Sequence, residues 1–278
     1  IIFILLFSYF EHKIEKILLN TEYLNMPLFL EKPLGLSPLD LIQSLPDQSH
    51  KYSFAGRLDP MARGKMIVLV DDECKNQELY CGLDKIYEFS ILYGFQTDTY
   101  DILGLWNDSC SNIDIDIDTY QTKIYNLNLN QYLGKSQQLY PSYSSIKVNK
   151  KPLWWWSREK RIHEITIPSK IINIYQLESI KPLEILSQNK LLEEALSKIL
   201  SLPTHRHLAF RVPQIIKQWK SVPDTNKNLK YLVGHYKAKV SSGTYIRSLV
   251  NKIGLDIGCG AIAWDIHRID FLDKKNIR

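Results

Sequence analysis

The sequence is poor in cysteine and lacks a hydrophobic run long enough to cross a membrane. Its four cysteines are scattered, with no pair two residues apart and no histidine at ligand spacing: Cys74, Cys81, Cys110 and Cys259. This pattern disfavours a zinc ribbon or finger and is typical of a reduced intracellular protein. The apolar stretch from Ile1 to Phe10 is shorter than the roughly 20 residues of a transmembrane helix, and it lacks the flanks of a secretory signal. We expect no membrane partner, no secretion, and a location in the cytoplasm or an organelle such as the mitochondrion.

What the chain does contain is enough apolar material for a large core. Its 278 residues are 45% hydrophobic and 23% charged, which predicts one large globular domain. Lysine and arginine total 35 against 30 acidic residues, a formal charge of +5, which permits an acidic partner but is weak evidence for one. The first methionine is Met26. We therefore expect an N-terminal extension at 1–25 and a domain at 26–278.

The hydrophobic pattern predicts an α+β fold. Short apolar or alternating runs rich in β-branched and aromatic residues predict strands: PLFLEK, KMIVLV, YEFSILYGF, HEITIP, IINIYQLESI and, later, HYKAKV. Leucines at helical spacing follow Ile180, and Pro213 fits the first turn of a second helix. IRSLVNKIG predicts another helix after the Gly243 turn. We interpret 182–229 as a largely helical insertion, and 114–118 as an acidic loop.

The segment 51–65, KYSFAGRLDPMARGK, places one acid, Asp59, among several bases. Nearby positive charge favours the ionised carboxylate, and the glycines at 56 and 64 permit a tight loop. One interpretation is an aspartate nucleophile on a rigid loop among phosphate-binding cations. The other is an Asp-Pro turn with solvated basic neighbours. The segment alone leaves both open.

Three further segments carry polar or aromatic side chains that could form a site. In 85–104 a strand containing Tyr87 leads into a loop with Asp98 and Asp101, where loop-fixing hydrogen bonds explain the carboxylates better than a metal does. In 140–158 basic residues alternate with aromatic ones, including three tryptophans at 154–156 that would span about 200° of a helix. Either two are core and one covers a surface, or one meets a partner such as RNA. In SSGTYIR, at 241–247, Arg247 could pair with a carboxylate from another loop or be a surface residue.

Taken together and in this order, these segments resemble the TruB family of tRNA pseudouridine synthases. FLEKPLGLSP at 29–38 is similar to the family's Lys-Pro-x-Gly motif, and GRLDPMARG at 56–64 to its catalytic loop. The family's remaining sequence motifs are similar to three further segments: KIYEF with YGFQTDTYDILG, YPSYSSIKVNKK, and SSGTYIRSLV. The resemblance runs from about Met26 to about Arg268, apart from 182–229. It implies the pseudouridine synthase fold, a mixed, mainly antiparallel sheet flanked by helices.

The resemblance also implies a chemistry for individual residues. Asp59 matches the aspartate that attacks the target uridine, whose base detaches from N1 and rejoins the ribose through C5, without a cofactor or metal. Tyr87 matches the tyrosine that stacks on the flipped base and could take the C5 proton, and Arg247 matches the arginine that pairs with the aspartate. The base must leave its stack at a cost of a few kcal/mol. Expected contacts to the substrate are Lys32, Phe54, Gly56, Arg57, Lys65, Lys147 and Tyr245.

Two departures from the family pattern leave alternatives open. Phe54-Ala55-Gly56 stands where the family usually has His-Thr-Gly, so Phe54 would have to fill the gap left by the flipped base by stacking. The sequence ends at Arg278, just past the last matching block, which leads us to expect that the usual C-terminal RNA-binding PUA domain is missing. The expected partner is the T arm of tRNA or another RNA with a T-loop-like hairpin. The alternative is a catalytically idle RNA-binding scaffold, or a ribosome-associated or ribonucleoprotein-associated protein of the same fold. His205 and His207 are expected at the surface rather than in a metal site.

Overall fold

A mixed β-sheet runs through the centre of the molecule. The computed structural model describes residues 27–106, 117–222 and 230–272. The expected extension 1–25 lies outside these residues, as does most of the acidic segment 114–118. The strands are β1 (Leu28–Lys32), β2 (Tyr52–Ala55), β3 (Ala62–Val70), β4 (Asp84–Tyr93), β5 (Gly134–Leu139), β6 (Lys147–Val148), β7 (Lys151–Pro152), β8 (Ser169–Ser187), β9 (Lys230–Val240) and β10 (Ala261–Leu272).

The order of the strands brings distant parts of the chain together. The sheet runs β1-β3-β10-β4-β9-β8-β5, with β2 also paired to β3, while β6 and β7 form a separate hairpin. β3 and β10 are parallel and the other pairs are antiparallel. Within this sheet Arg268 of β10 lies beside Gly64 on one side and Tyr87 on the other. The predicted α+β class with a mixed, mainly antiparallel sheet is confirmed.

Seven helices accompany the sheet in the described residues, and local sequence signals mark the start of the first and the end of the last. They are α1 (Pro38–Gln43), α2 (Gln77–Cys81), α3 (Ile117–Tyr125), α4 (Leu153–Arg158), α5 (Gln188–Leu200), α6 (Val212–Lys220) and α7 (Ile246–Ile257). Ser37 caps α1 through a reciprocal pair of hydrogen bonds with Asp40, which satisfies two free backbone N–H groups. α7 ends at Gly258 in a left-handed conformation, which glycine adopts without strain. The predicted helix after the Gly243 turn is confirmed.

Hydrophobic side chains pack on both faces of the sheet. Alternate residues of β4 point to opposite faces, so Phe89 and Ile91 belong to one core and Leu92 to the other. The first core includes the buried face of α7, with Leu249 and Ile253. The second core is covered by α5 and α6, and its buried aromatic residues include Phe95, Trp219 and Trp264.

The segment 182–229 is helical in its middle but begins as a strand. Residues 182–187 continue β8, where Glu184 pairs with Val233 of β9. The helices α5 and α6 follow, and Pro213 lies in the first turn of α6 as predicted. The buried stripe of α5 is Leu191, Ala195 and Ile199. Residues 223–229 lie outside the described ranges, and the status of this segment as an insertion stays a prediction.

One predicted strand is wrong. HEITIP, at 163–168, forms no strand: the 3₁₀ turn Ile162–Glu164 takes up its first two residues, and the rest is irregular. Arg161 donates two hydrogen bonds of 2.7 Å to the carboxylate of Glu164 across this turn, so the local ion pair competes with an extended backbone. The neighbouring side chains are half-exposed or exposed, which removes the burial that a strand with this alternation would gain.

Candidate active site

The loop between β2 and β3 presents Asp59 to a cleft. Its neighbours Leu58 and Met61 are buried, whereas the Asp59 side chain is 31% exposed. The backbone N–H of Ala62 donates to the carbonyl of Asp59 (3.0 Å), and Gly35 donates to the carbonyl of Pro60 (2.8 Å). Apolar anchors and backbone hydrogen bonds on both sides of Asp59 therefore fix the loop while its carboxylate stays open to the cleft.

Arg247 forms a buried ion pair with Asp59. It lies in the first turn of α7, its side chain is 3% exposed, and its Nε donates to Oδ2 of Asp59 at 2.7 Å. The guanidinium also donates to the carbonyls of Thr99 and Tyr143. Burial alone lowers the pKa of Arg247, but the charges of Asp59 and Asp101 outweigh it and raise that pKa. Arg247 is thus a permanently charged, rigidly held partner of the carboxylate.

A second carboxylate, that of Asp101, also forms an ion pair with Arg247. Its Oδ2 lies 3.6 Å from Nε of Arg247. Its Oδ1 accepts hydrogen bonds from the Thr99 hydroxyl (2.6 Å) and the Leu103 N–H (3.0 Å). Burial raises the pKa of Asp101, against the lowering effects of Arg247 and Thr99. The predicted loop-fixing hydrogen bonds are confirmed, and Asp101 has in addition a place beside Arg247 that the sequence pattern did not indicate.

Three buried cations lie beneath the loop and bind backbone carbonyls. Lys32 donates to the carbonyls at 33 (2.9 Å) and 36 (2.6 Å), and burial lowers its pKa to about 7 although the charge of Asp59 raises it. Arg268 donates to the carbonyls of Gly56 (2.8 Å) and Lys65 (2.7 Å). Lys85 donates to two carbonyls before β4, and burial lowers its pKa to about 8. Of the three, Arg268 binds the loop that bears Asp59, through the carbonyl of Gly56.

The two tyrosines that the sequence indicated line the cleft. Tyr87 is 7% exposed on β4 and faces the same space as Asp59 and Arg247. Tyr245 occupies the residue before α7, where its backbone exchanges hydrogen bonds with the side-chain amide of Gln138. Burial and the nearby charge of Asp59 raise the pKa of Tyr245 to about 12, so its phenol is protonated and neutral at physiological pH.

The cleft is large and its walls are positively charged. Its volume is about 750 Å³, within the range of small-molecule and nucleotide pockets. Among the described residues it is lined by eight cationic side chains and two carboxylates, those of Asp59 and Asp101. The cations are Arg57, Lys85, Arg158, Lys170, Arg206, Arg211, Arg247 and Arg268. A cleft with an excess of positive charge concentrates polyanions near its walls.

Aromatic side chains lie on the rim of this cleft. Trp154 is 40% exposed and lines it, whereas Trp156 is buried and Trp155 is half-exposed against Trp156. One of the three tryptophans therefore faces the cleft. Phe54 also lines it, and the guanidinium of Arg57 lies 5.5 Å from the Phe54 ring centroid. Rings and cations alternate here as they do on surfaces that bind single-stranded nucleic acid.

Three of the predicted contact residues do not line the cleft: Lys32, Lys65 and Lys147. Lys32 is fully buried, and its ammonium binds backbone carbonyls instead. Lys65 forms an ion pair with Asp270 at 3.0 Å, and Lys147 is exposed on β6. The structure also brings in residues that sequence reasoning missed, namely Lys85, Arg211 and Arg268. The only sequence signal for Lys85 and Arg268 is a cation at a position of a strand that should be buried. Arg211 carries no such signal, because its partner is more than a hundred residues away.

The described residues give no sign of a metal site or of a membrane span. In 27–106, 117–222 and 230–272, no group of histidine, cysteine, aspartate and glutamate side chains could hold a metal ion. His207 contacts the carbonyl of Leu202, and His205 is 66% exposed. No helix in these ranges is both long and apolar enough to cross a bilayer.

Comparison with known proteins identifies the family to which this chain belongs. Residues 46–191, which carry Asp59 and Tyr87, match the model of the TruB family pseudouridylate synthase, N-terminal domain. The chain belongs to this family. Among curated relatives, tRNA pseudouridine synthase B of Clostridium novyi (strain NT) is 27% identical over 248 residues, covering 88% of this chain and 67% of the relative. That of Aquifex aeolicus (strain VF5) is 24% identical over 250 residues, covering 87% and 67%.

Solved structures cover a similar share of this TruB-family chain. A structure of an H/ACA RNP bound to a substrate RNA containing 2'-deoxyuridine matches 90% of this chain and 49% of its own chain, with 13% identity and a TM-score of 0.48. A Cbf5-Nop10-Gar1 complex matches 90% and 50%, with 16% identity and a TM-score of 0.47. The chain thus spans about two thirds of the curated relatives and about half of the solved chains it matches.

Proposed function

We propose that this TruB-family chain is an RNA pseudouridine synthase that isomerises a uridine of tRNA in the cleft at Asp59. One observation supports it above the others. The carboxylate of Asp59 is held at 2.7 Å by the buried Arg247, yet remains 31% exposed toward a cleft with positive walls. A structural ion pair would gain nothing from facing such a cleft, whereas a nucleophile needs both the fixed geometry and the access. The relatives named above are tRNA pseudouridine synthases.

The charge of the cleft supports an RNA substrate. The cleft wall carries cationic side chains that are exposed or half-exposed, among them Arg57, Arg158 and Lys170. A phosphate backbone would displace their bound counterions, and this makes binding favourable and salt-dependent. The target base must leave its stack to reach Asp59, which costs a few kcal/mol. In the proposal the rings of Tyr87 and Tyr245, both lining the cleft, stack on or enclose the flipped base and offset part of that cost.

The proposed reaction rearranges bonds within one nucleotide. With one carboxylate oxygen held by Arg247, the other oxygen of Asp59 attacks the uridine, and the bond from N1 to the ribose breaks. The base turns and C5 forms a carbon-carbon bond to the ribose, while the bond between Asp59 and the nucleotide breaks and the carboxylate is freed. The proton on C5 then leaves to a base, for which Tyr87 is the candidate, and N1 gains a proton. The product is an isomer of the substrate, so the scheme calls for no cofactor.

The residues proposed to replace the flipped base lie shortly before Asp59, with Phe54 on β2 and Arg57 on the loop. Phe54 and Arg57 both line the cleft, and the Arg57 guanidinium lies over the Phe54 ring. We propose that this pair fills the gap in the RNA, with the ring stacking and the guanidinium contacting a phosphate. Gly56, at φ +71°, lets the loop turn between them. This pair would take the place of the histidine that the family usually has in its His-Thr-Gly sequence.

The preferred target in the proposal is the T-loop uridine of tRNA. The relatives named above are tRNA pseudouridine synthases, and a T arm, or another RNA with a T-loop-like hairpin, supplies an unpaired uridine within a compact anionic hairpin. Such a substrate places the protein inside the cell, in the cytoplasm or an organelle such as the mitochondrion. Hairpins with and without the T-loop fold, offered at equal concentration, test this preference directly.

The activity is tested with a T-arm hairpin labelled with tritium at C5 of uridine. Isomerisation replaces that hydrogen, so tritium appears in water. Asp59→Asn should lower the release by about a thousandfold or more, since it removes the nucleophile. Asp256→Asn is the matched control, because Asp256 pairs with Lys252 and Tyr132 outside the cleft. Wild-type protein that binds the hairpin without releasing tritium would contradict the proposal and favour a non-catalytic RNA-binding scaffold.

A further inference from the structure

Arg211 connects the helical segment 188–220 to the loop after β4. Its guanidinium donates two hydrogen bonds to the carboxylate of Asp98, at 2.6 and 3.0 Å. It also donates to the hydroxyl of Tyr143 at 2.9 Å and lies 4.7 Å from the centroid of that ring. A bidentate pair between arginine and a carboxylate fixes orientation as well as distance. One side chain therefore ties two separate segments, around 98 and around 143, to the start of α6.

These two segments are the ones that hold Arg247. The carbonyls of Thr99, one residue after Asp98, and of Tyr143 itself accept hydrogen bonds from the Arg247 guanidinium. Asp98 also closes its loop, because its backbone and its carboxylate are both hydrogen-bonded to Leu105. Displacing Asp98 would therefore move the acceptors that orient Arg247, and with them the partner of Asp59.

The helix α6, which follows Arg211, is firmly packed in the second core. Val212, Ile215 and Trp219 on α6 are buried in the second core, where the Trp219 ring stacks on Phe95. Arg211 itself has φ +57°, a left-handed conformation, which is unfavourable for a residue with a side chain and persists where surrounding interactions stabilise it. The side chain is only 19% exposed. The helical segment thus presents a fixed guanidinium toward the cleft rather than a solvated surface charge.

We infer that Arg211 is a positioning residue for the reaction: through Asp98 and Tyr143 it holds the two carbonyls that orient Arg247 against Asp59. This inference rests on the proposed function for its kinetic test. It gives the segment 188–220 a task beyond covering the second core. Arg211 contacts neither Asp59 nor Arg247 directly, so its effect passes through the loop at 97–101 and the segment at 143.

The kinetic test compares Arg211→Gln, Arg211→Lys and Asp98→Asn with a control from the same helical segment, Lys190→Gln. Lys190 forms an exposed ion pair with Glu184 and does not line the cleft. Arg211→Gln should lower the single-turnover rate about tenfold or more, because small displacements at a reacting centre are costly, with little change in RNA affinity. Arg211→Lys keeps the charge but loses the planar guanidinium that binds both carboxylate oxygens. Its single-turnover rate should lie between those of the wild type and Arg211→Gln. The double variant Arg211→Gln with Asp98→Asn should be no slower than Arg211→Gln alone, since both act through one pair.

A second readout does not depend on turnover. In protein labelled with ¹⁵N-arginine, the Nε–H resonance of Arg247 is protected by burial and reports its ion pair with Asp59. Arg211→Gln, or Arg211→Lys if the first variant does not fold, should shift or broaden this resonance, and Lys190→Gln should not. An unchanged resonance, or equal single-turnover rates in Arg211→Gln and Lys190→Gln, would overturn the inference. Absence of turnover in the wild type would contradict the proposed function instead, and the resonance would still decide the role of Arg211.

Discussion

Replacing Gly64 with alanine should destabilise the protein severely, because two backbones meet at this residue. Gly64 has φ +114° in β3, beside Arg268 in the parallel strand β10. A Cβ built on Gly64 would lie 2.2 Å from the carbonyl oxygen and 2.8 Å from the backbone nitrogen of Arg268. Backbone atoms in a sheet cannot rotate away. The strained conformation costs about 1–3 kcal/mol and the overlap about 1–3 kcal/mol more, so we expect Gly64→Ala to lower the free energy of unfolding by about 2–6 kcal/mol.

A second glycine separates the two contributions. Gly258 has a similar φ of +89°, but an added Cβ would meet nothing within 4 Å. Gly258→Ala should therefore show only the conformational cost, about 1–2 kcal/mol. Equilibrium unfolding in urea measures both variants against the wild type. Equal losses in the two variants would refute the reasoning, because the contact with Arg268 would then contribute nothing.

Three further predictions concern the buried lysine and the cleft rim. Burial lowers the pKa of Lys32 to about 7, so between about pH 7 and 10 the unfolded chain binds a proton that the folded chain has released, and the free energy of unfolding rises with pH. Lys32→Met should reduce this rise in urea unfolding at several pH values, and an unchanged slope would contradict it. Trp154→Ala should weaken RNA binding by about 1–3 kcal/mol and leave the free energy of unfolding nearly unchanged. Trp156→Ala should instead lower the free energy of unfolding by about 3–5 kcal/mol. Similar losses of stability in the two variants would contradict the assignment of Trp154 to the rim. Arg158→Gln should make the negative slope of log affinity against log salt concentration less steep by about one. A slope equal to that of the wild type would show that Arg158 does not contact a phosphate.

Local patterns in the sequence predict most of the secondary structure. The strand alternation in YEFSILYGF becomes β4, and the helix after the Gly243 turn becomes α7, because each pattern is set by residues a few positions apart. HEITIP fails because a local ion pair and exposure, neither visible in the alternation, favour a turn. The buried stripe of α5 also depends on what the helix packs against, which the spacing of its leucines does not determine.

The active site is predictable only in part, since its contacts join distant segments. The residues between 51 and 65 are consistent with both a nucleophile and a simple turn, and resemblance to a family is needed to relate Asp59 to Arg247, 188 positions away. The polar residues at 97–101 predict the loop-fixing hydrogen bonds of Asp101, but its place beside Arg247 depends on the fold. Arg268 is fully buried on β10, and only the parallel pairing with β3 shows that it supports the loop of Asp59.

The central claim is that this protein isomerises a uridine in RNA and that Asp59 is the nucleophile. The most direct measurement maps pseudouridine across the RNA of cells that lack this protein and of the same cells supplied with the wild type or with Asp59→Asn. We predict that a T-loop uridine in tRNA loses its modification without the protein and that the wild type alone restores it. Restoration by Asp59→Asn, or a map that does not change when the protein is absent, would contradict the claim.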